Sequence, residues 1–107
     1  MLINNKMLQI NGIEIELECT IRKCIEYDNK IVILIYDDVI IANNVLCYDK
    51  RGVELWRIND ILNFKRPTGN IDIIKEDANV LAVHSVLNMV FRIDIEKEEL
   101  IEKKFLR

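Results

Sequence analysis

Glycine, proline and histidine are scarce in this sequence of 107 residues, which contains three Gly, one Pro and one His. Collagen-like and low-complexity chains need far more Gly and Pro, so both classes are excluded. Three widely separated glycines cannot form the glycine-rich loops that bind phosphate or dinucleotides. Catalysis by a nucleophile with an imidazole base would depend on His84. A zinc site would combine the three Cys with His84, but one strand would direct Cys19 and Cys24 to opposite faces. We therefore expect no enzymatic activity, no cofactor and no metal, and we interpret His84 as a structural or surface residue.

Long apolar runs are also missing. The longest covers residues 31–36, far short of the roughly 20 residues that span a bilayer. The first residues show no basic head followed by an apolar export segment. Cys19, Cys24 and Cys47 are an odd number without the spacing of a disulfide framework. We expect free thiols in a cytoplasmic protein that does not contact membranes.

Hydrophobic residues make up 50% of the chain and charged residues 31%. This balance excludes disorder and suits one folded domain over residues 1–107. The 15 Lys+Arg and 18 Asp+Glu give a formal charge of −3. Nucleic-acid-binding proteins usually carry a basic stripe, so direct binding to nucleic acid is not expected. The mild acidity is compatible with a basic protein partner.

The strongest local pattern covers residues 13–27. Its odd positions are apolar except Lys23, and its even positions are polar except Cys24. A period of two predicts one long half-buried strand, or two strands joined by a bend near Lys23. The dipeptide Asn11-Gly12 just before it favours a type I′ hairpin turn.

Further strands are predicted downstream, and one of them has a distinct pattern. Residues 31–36 are apolar at both parities, which is typical of a central strand covered on both faces. A polar segment holds the single proline and is expected to contain one helical turn around residues 60–63. The remaining predicted strands cover 39–42, 45–49, 53–58, 70–74, 79–85, 87–95 and 99–106.

These elements predict an all-β protein of nine to eleven short strands. Antiparallel hairpins would form a sandwich or a half-open barrel. Residues 96–104 contain good helix formers and pairs of opposite charge, so an α+β fold with a C-terminal helix is the alternative. We favour a hairpin across Glu96 to Glu98, because the rest of the chain is rich in strands.

Two segments look alike 35 residues apart. The triplet at 44–46 recurs at 79–81, and Trp56-Arg57-Ile58 resembles Phe91-Arg92-Ile93. If the likeness is more than chance between hairpins, it predicts two related hairpins within one sheet system. Trp56 is interpreted as a core or sheet-face residue.

Three carboxylates, Glu14, Glu16 and Glu18, share the polar face of the long predicted strand. They would lie about 7 Å apart along it. One interpretation is a solvated face whose neighbouring strand supplies Lys and Arg. The other is an acidic stripe that docks against a basic partner and speeds association. Asp37 and Asp38 in a following turn complete the candidate partner-binding set, with a plain turn role as their alternative.

The segment NVLCYDKRGVELWRI (44–58) resembles hairpins in the blades of quinoprotein-type and WD-type β-propellers. The shared pattern is V-x-x-x-D-x-x-G-x-x-x-W-x-I, and the later FRIDIEKEELIEKKF (91–105) resembles the end of such a unit. The closing Gly of that unit is absent here, and Glu98 or Glu99 stands near its place. A propeller needs at least four blades, so these hairpins are expected to serve a smaller sheet or sandwich.

Size, acidity and sequence texture are similar to those of small immunity proteins from bacterial toxin systems, including contact-dependent inhibition. The resemblance implies a cytosolic protein that binds a cognate toxin domain, commonly a basic nuclease, and blocks its active site. The alternative is a structural or interaction module that self-associates through open sheet edges.

Overall fold

The computed structural model describes residues 2–106, with side chains from residue 5 onward. Within that part, eleven strands and one short helix are found, and every strand pair is antiparallel. The all-β prediction is confirmed. The strands are β1 (Leu2–Asn4), β2 (Met7–Ile10), β3 (Ile13–Glu16), β4 (Ile21–Glu26), β5 (Lys30–Ile35), β6 (Val45–Asp49), β7 (Glu54–Arg57), β8 (Asn70–Lys75), β9 (Val80–Ser85), β10 (Met89–Asp94) and β11 (Glu99–Phe105); the helix is α1 (Ile58–Leu62).

The strands form three sheets, each connected in chain order. We call β1–β3 the first sheet, β4–β7 the middle sheet and β8–β11 the outer sheet. The sheets are stacked and are not closed into a barrel, so the sandwich is the better of the two predicted architectures. The α+β alternative is wrong, because residues 99–105 pair with β10 as a strand.

The middle sheet is covered on both faces. Its strand β5 is buried from Ile31 to Ile35, as its unbroken apolar pattern predicts. Alternate side chains contribute to two separate cores. The core against the first sheet contains Leu8, Ile10, Leu17, Cys19, Ile21, Ile31, Ile33, Ile35, Leu46 and Tyr48. The core against the outer sheet contains Ile25, Tyr27, Val32, Leu34, Val45, Cys47, Trp56, Ile58, Ile73, Leu81, Val83, Phe91, Ile93 and Ile95.

The long strand predicted over 13–27 is two strands, and the break lies at 17–20 instead of near Lys23. The backbone N–H and hydroxyl of Thr20 both donate to the Asp37 carboxylate, which holds this break. The odd-position rule still holds for Leu17 and Cys19, which are buried inside the break. It fails for Ile13, which is 47% exposed.

The strand predicted over 39–42 is also wrong. Only an isolated bridge between Ala42 and Gly69 forms there, and Val39 is 75% exposed. This segment instead crosses closely over Gly69, where a Cβ atom would lie 2.5 Å from Cγ2 of Ile40. Close packing against a neighbouring loop thus replaces strand pairing for these β-branched residues.

The predicted helical turn is confirmed, although α1 begins two residues earlier than expected. The Asp60 carboxylate accepts a hydrogen bond from the backbone N–H of Arg57 (2.9 Å), which caps the first turn. Asn63 ends the helix with a φ of 55°. The chain then places Phe64 edge-on to Phe91, with ring centroids 5.6 Å apart.

The two hairpins related by 35 residues do not share a sheet. One is β6–β7 in the middle sheet, and the other is β9–β10 in the outer sheet. They occupy the third and fourth strands of one sheet but the second and third of the next, so they are not equivalent units. Trp56 is 3% exposed and lies in the core, as predicted.

Candidate protein-binding surface

Two edge strands, β3 of the first sheet and β7 of the middle sheet, form one exposed surface. Three apolar side chains lie on it: Ile13 (47% exposed), Val53 (51%) and Leu55 (40%). Exposed carboxylates lie around them. We call this the β3–β7 surface and define it by Ile13, Glu14, Glu16, Glu18, Val53, Glu54 and Leu55.

The turns before β3 and β7 hold the two strands together. The Asn11 side-chain amide donates to the backbone carbonyl of Lys50 (2.6 Å). Gly52 has a φ of +85°, a conformation that favours glycine. A Cβ atom at Gly52 would lie 3.3 Å from Cγ2 of Ile13 and 3.5 Å from Cδ1 of Ile15. The missing side chain therefore lets the first sheet lie close to this turn.

Arg57 binds two of the carboxylates. Its Nη1 lies 2.8 Å from Oε1 of Glu18, and its Nε lies 3.6 Å from Oε2 of Glu54. The hydrogen bond to Glu18, with the nearby charge of Glu54, raises the pKa of the Arg57 guanidinium. Glu18 lies beyond the end of β3 and is paired with Arg57, so the predicted stripe of three carboxylates reduces to two on the strand.

Glu14 and Glu16 are those two carboxylates. They lie opposite Gln9 and Met7 in β2, on the solvent side of the first sheet. Both are exposed, and neither forms a hydrogen bond or ion pair with the side chains described from residue 5 onward. Their charges are therefore free to act on an approaching partner.

The Asp37 carboxylate stabilises the fold through hydrogen bonds. Its carboxylate accepts hydrogen bonds from the Thr20 hydroxyl (2.7 Å) and backbone N–H (3.0 Å), and Lys6 Nζ lies 3.7 Å away. The Thr20 hydroxyl bond, first among these, lowers the pKa of Asp37. The stability from this interaction is present above the ordinary pKa of Asp and is lost as the pH falls through the lowered pKa. Asp38 is exposed beside it.

Sequence reasoning missed the apolar half of the surface. Val53 and Leu55 lie at a register shift in the β6–β7 pair, where Cys47 is opposite Trp56 but Tyr48 is opposite Glu54, so a period of two does not fix their faces. Nothing in the sequence shows that this edge of the middle sheet stays exposed. The exposure of Ile13 likewise depends on the position of β3 relative to the middle sheet, which the sequence does not show.

The described thiols are poor nucleophiles. Burial raises the pKa of Cys24 to about 11 and that of Cys47 to about 12, so both are protonated near neutral pH. Burial also raises the pKa of Cys19. His84 lies opposite Asp72 in the β8–β9 pair, and Lys23 Nζ is 3.1 Å from the Asp72 carboxylate.

Among residues 2–106, no group of three or more His, Cys, Asp and Glu is placed to hold a metal ion. No helix in the described part of the chain is long and apolar enough to cross a membrane.

No curated protein and no solved structure matches the chain significantly. One family matches residues 1–105, which is nearly the whole length. The chain belongs to this family, which is described as a domain of unknown function (DUF7957).

Proposed function

We propose that this is a non-enzymatic binding protein that neutralises a cognate bacterial toxin domain by covering its active site. The observation that carries the proposal is the β3–β7 surface, where exposed apolar side chains lie beside Glu14 and Glu16, which have no ion pair among the side chains described from residue 5 onward. The toxin partner comes from the resemblance to immunity proteins; the surface supplies a physical reason for contact.

The chemistry of this surface fits a basic partner. Protein interfaces combine a desolvated apolar centre with a polar rim. Here Ile13, Val53 and Leu55 supply the centre, while Glu14 and Glu16 supply rim charges. Nuclease active sites bind phosphates and are therefore rich in Lys and Arg. Carboxylates at the rim would steer such a domain into contact and fix its orientation.

The proposal predicts that the gene immediately upstream encodes a secreted toxin, and the test uses the toxin domain of that protein. The expected result is a one-to-one complex in which the toxin activity is blocked. In Glu14→Gln/Glu16→Gln, we expect the association rate at low salt to fall about tenfold. The difference from the native protein should vanish at high salt, because salt screens exposed charges. Stopped-flow mixing at several salt concentrations measures both effects.

A matched control removes the same charge elsewhere. Asp28→Asn/Glu96→Gln neutralises two exposed carboxylates at the β4–β5 and β10–β11 turns. We expect this variant to associate with the toxin domain as fast as the native protein. If both double variants slow association equally, net charge is responsible and the β3–β7 surface is not the docking site. A toxin that stays active in the presence of excess protein would refute the proposed function itself.

A further inference from the structure

Strand β11 is exposed at every residue from Glu99 to Phe105. It is the edge of the outer sheet, and among the described strands it pairs only with β10. Exposed fractions reach 54% for Ile101 and 68% for Phe105, and the adjoining Leu106 is 38% exposed. With seven residues it is the longest of the described strands. Proteins protect open edge strands by keeping them short, or with proline, charged side chains or bulges. β11 is long and has no proline, and its protection consists of Lys103, Lys104 and the register shift at Ile101.

The backbone of β11 has free hydrogen-bonding groups on its open side. The Leu106 N–H donates to the Asn88 carbonyl (2.7 Å), so it points towards β10. Backbone groups alternate in direction along an antiparallel strand. Those of Phe105 and Lys103 therefore point to the open edge, where a further strand could pair with them.

The sequence of β11 is complementary to itself in an antiparallel register centred on Lys103. A twofold axis perpendicular to a sheet places one residue opposite its own copy. With Glu102 or Lys104 on that axis, like charges would meet at the close, non-hydrogen-bonded spacing of about 4.5 Å. With Lys103 on the axis, its copy lies at the wider hydrogen-bonded spacing of about 5.5 Å.

The Lys103 register also pairs the neighbouring side chains favourably. Glu102 then faces Lys104 of the second copy, at the closer spacing. Phe105 of the second copy then lies beside Ile101, the residue that the register shift in the β10–β11 pair leaves without a Cα partner, which brings together two of the most exposed apolar side chains of the strand. Cross-strand pairs of opposite charge and of apolar side chains stabilise antiparallel sheets. These favourable pairs outweigh the repulsion between the two Lys103 side chains on the axis, because lysine side chains are flexible and can move apart.

We propose that two copies of this chain associate by antiparallel pairing of β11 with β11, with Lys103 on the twofold axis. The two outer sheets then form one continuous eight-stranded sheet. The register shift in the β10–β11 pair, between Arg92 and Ile93, falls at Ile101, which the twofold axis places at both ends of the contact. This interface shares no residue with the β3–β7 surface and does not depend on the proposed function.

The first test measures mass against concentration. Sedimentation equilibrium from about 1 µM to about 1 mM should show a transition from 12.6 kDa to twice that mass. Lys104→Glu would place it opposite Glu102 of the second copy and should weaken dimerisation at least tenfold. Lys65→Glu makes the same charge change at an exposed loop position and should leave dimerisation unchanged.

A second test addresses the register. Cysteine substituted at Lys103 would face its own copy at a Cα separation that allows a disulfide. Lys103→Cys should therefore give a covalent dimer under oxidising conditions, visible by non-reducing electrophoresis, whereas Lys104→Cys should not. A monomer at every concentration, or a dimer that Lys104→Glu does not weaken, would overturn the proposal. Cross-linking at residue 104 but not 103 would overturn the register.

Discussion

The last hairpins of the middle and outer sheets, β6–β7 and β10–β11, follow one pattern 45 residues apart. Each begins after an asparagine with positive φ, 54° for Asn43 and 62° for Asn88. The third strand of each sheet has a valine at the matching position, first in β6 and second in β10, and ends with an aspartate that accepts a backbone hydrogen bond in the next turn. The matching residues are Val45 and Val90, Asp49 and Asp94, Glu54 and Glu99, and Leu55 and Leu100.

The matching strands face the same way in the stack. Leu46 and Tyr48 in β6 point back to the first sheet, and their counterparts Phe91 and Ile93 point back to the middle sheet. Side chains on the other face of each sheet point forward. For the middle sheet, that direction contains the outer sheet. For the outer sheet, no further layer lies in that direction within the described residues.

The residues on the forward face differ between the two sheets according to whether a further layer covers them. Cys47 in the middle sheet is fully buried, and its counterpart Arg92 forms ion pairs across the strands with Glu76 (2.6 Å) and Glu102. In the second strands, Leu34 of β5 corresponds to His84 of β9. The same arrangement of strands is thus covered by a further sheet where these forward-facing side chains are apolar. It ends the stack where they are polar or charged.

Exchanging the residue types at Cys47 and Arg92 should have the largest effect on the stability of the fold. Cys47→Arg would bury an unpaired charge and overfill a packed core, at a cost of about 5 kcal/mol or more. That approaches the whole stability of a small domain. We expect the variant to lack a cooperative thermal transition by circular dichroism. Arg92→Cys, the reverse change at the solvent face, should keep that transition, and its loss there would show that the two faces are not different.

Truncating the side chains of Leu34 and His84 should have an intermediate effect on the free energy of unfolding. Leu34 is 1% exposed between the middle and outer sheets, so Leu34→Ala should cost about 2 to 5 kcal/mol through lost burial and a cavity. His84 is half-buried on the far face, and His84→Ala should cost less than about 1 kcal/mol. Urea unfolding of both variants measures the difference. Equal losses would mean that another layer covers the far face in solution.

The strands and the buried parity of this protein are readable from its sequence, because both come from local apolar patterns. The double-sided burial of β5 follows directly from 31–36. The break at 17–20 does not, because it depends on the Asp37 carboxylate reaching Thr20 from a distant turn. Likewise, 39–42 has a strand-like composition but meets Gly69 instead of a partner strand.

Only the exposed carboxylates of the β3–β7 surface could be predicted from the sequence, for a similar reason. The alternation marks Glu14 and Glu16 as solvent-facing, and they are. It cannot show that Arg57, distant in sequence, neutralises Glu18, because that contact requires the first and middle sheets to be stacked. The repeat at 35 residues also misleads, since matching triplets ignore strand position, whereas the 45-residue relation becomes clear only from equivalent places in two sheets.

The turns of the matched hairpins should show the smallest effect, with opposite signs. Gly52 has a positive φ and contacts Ile13 closely, so Gly52→Ala should destabilise the protein by about 1 to 2 kcal/mol. In the other hairpin, Glu98 has a φ of 56°, which is unfavourable for a residue with a side chain. Glu98→Gly should therefore stabilise by up to about 1 kcal/mol, measured by thermal unfolding. A loss of stability in Glu98→Gly would mean that this side chain has contacts that compensate for its backbone strain.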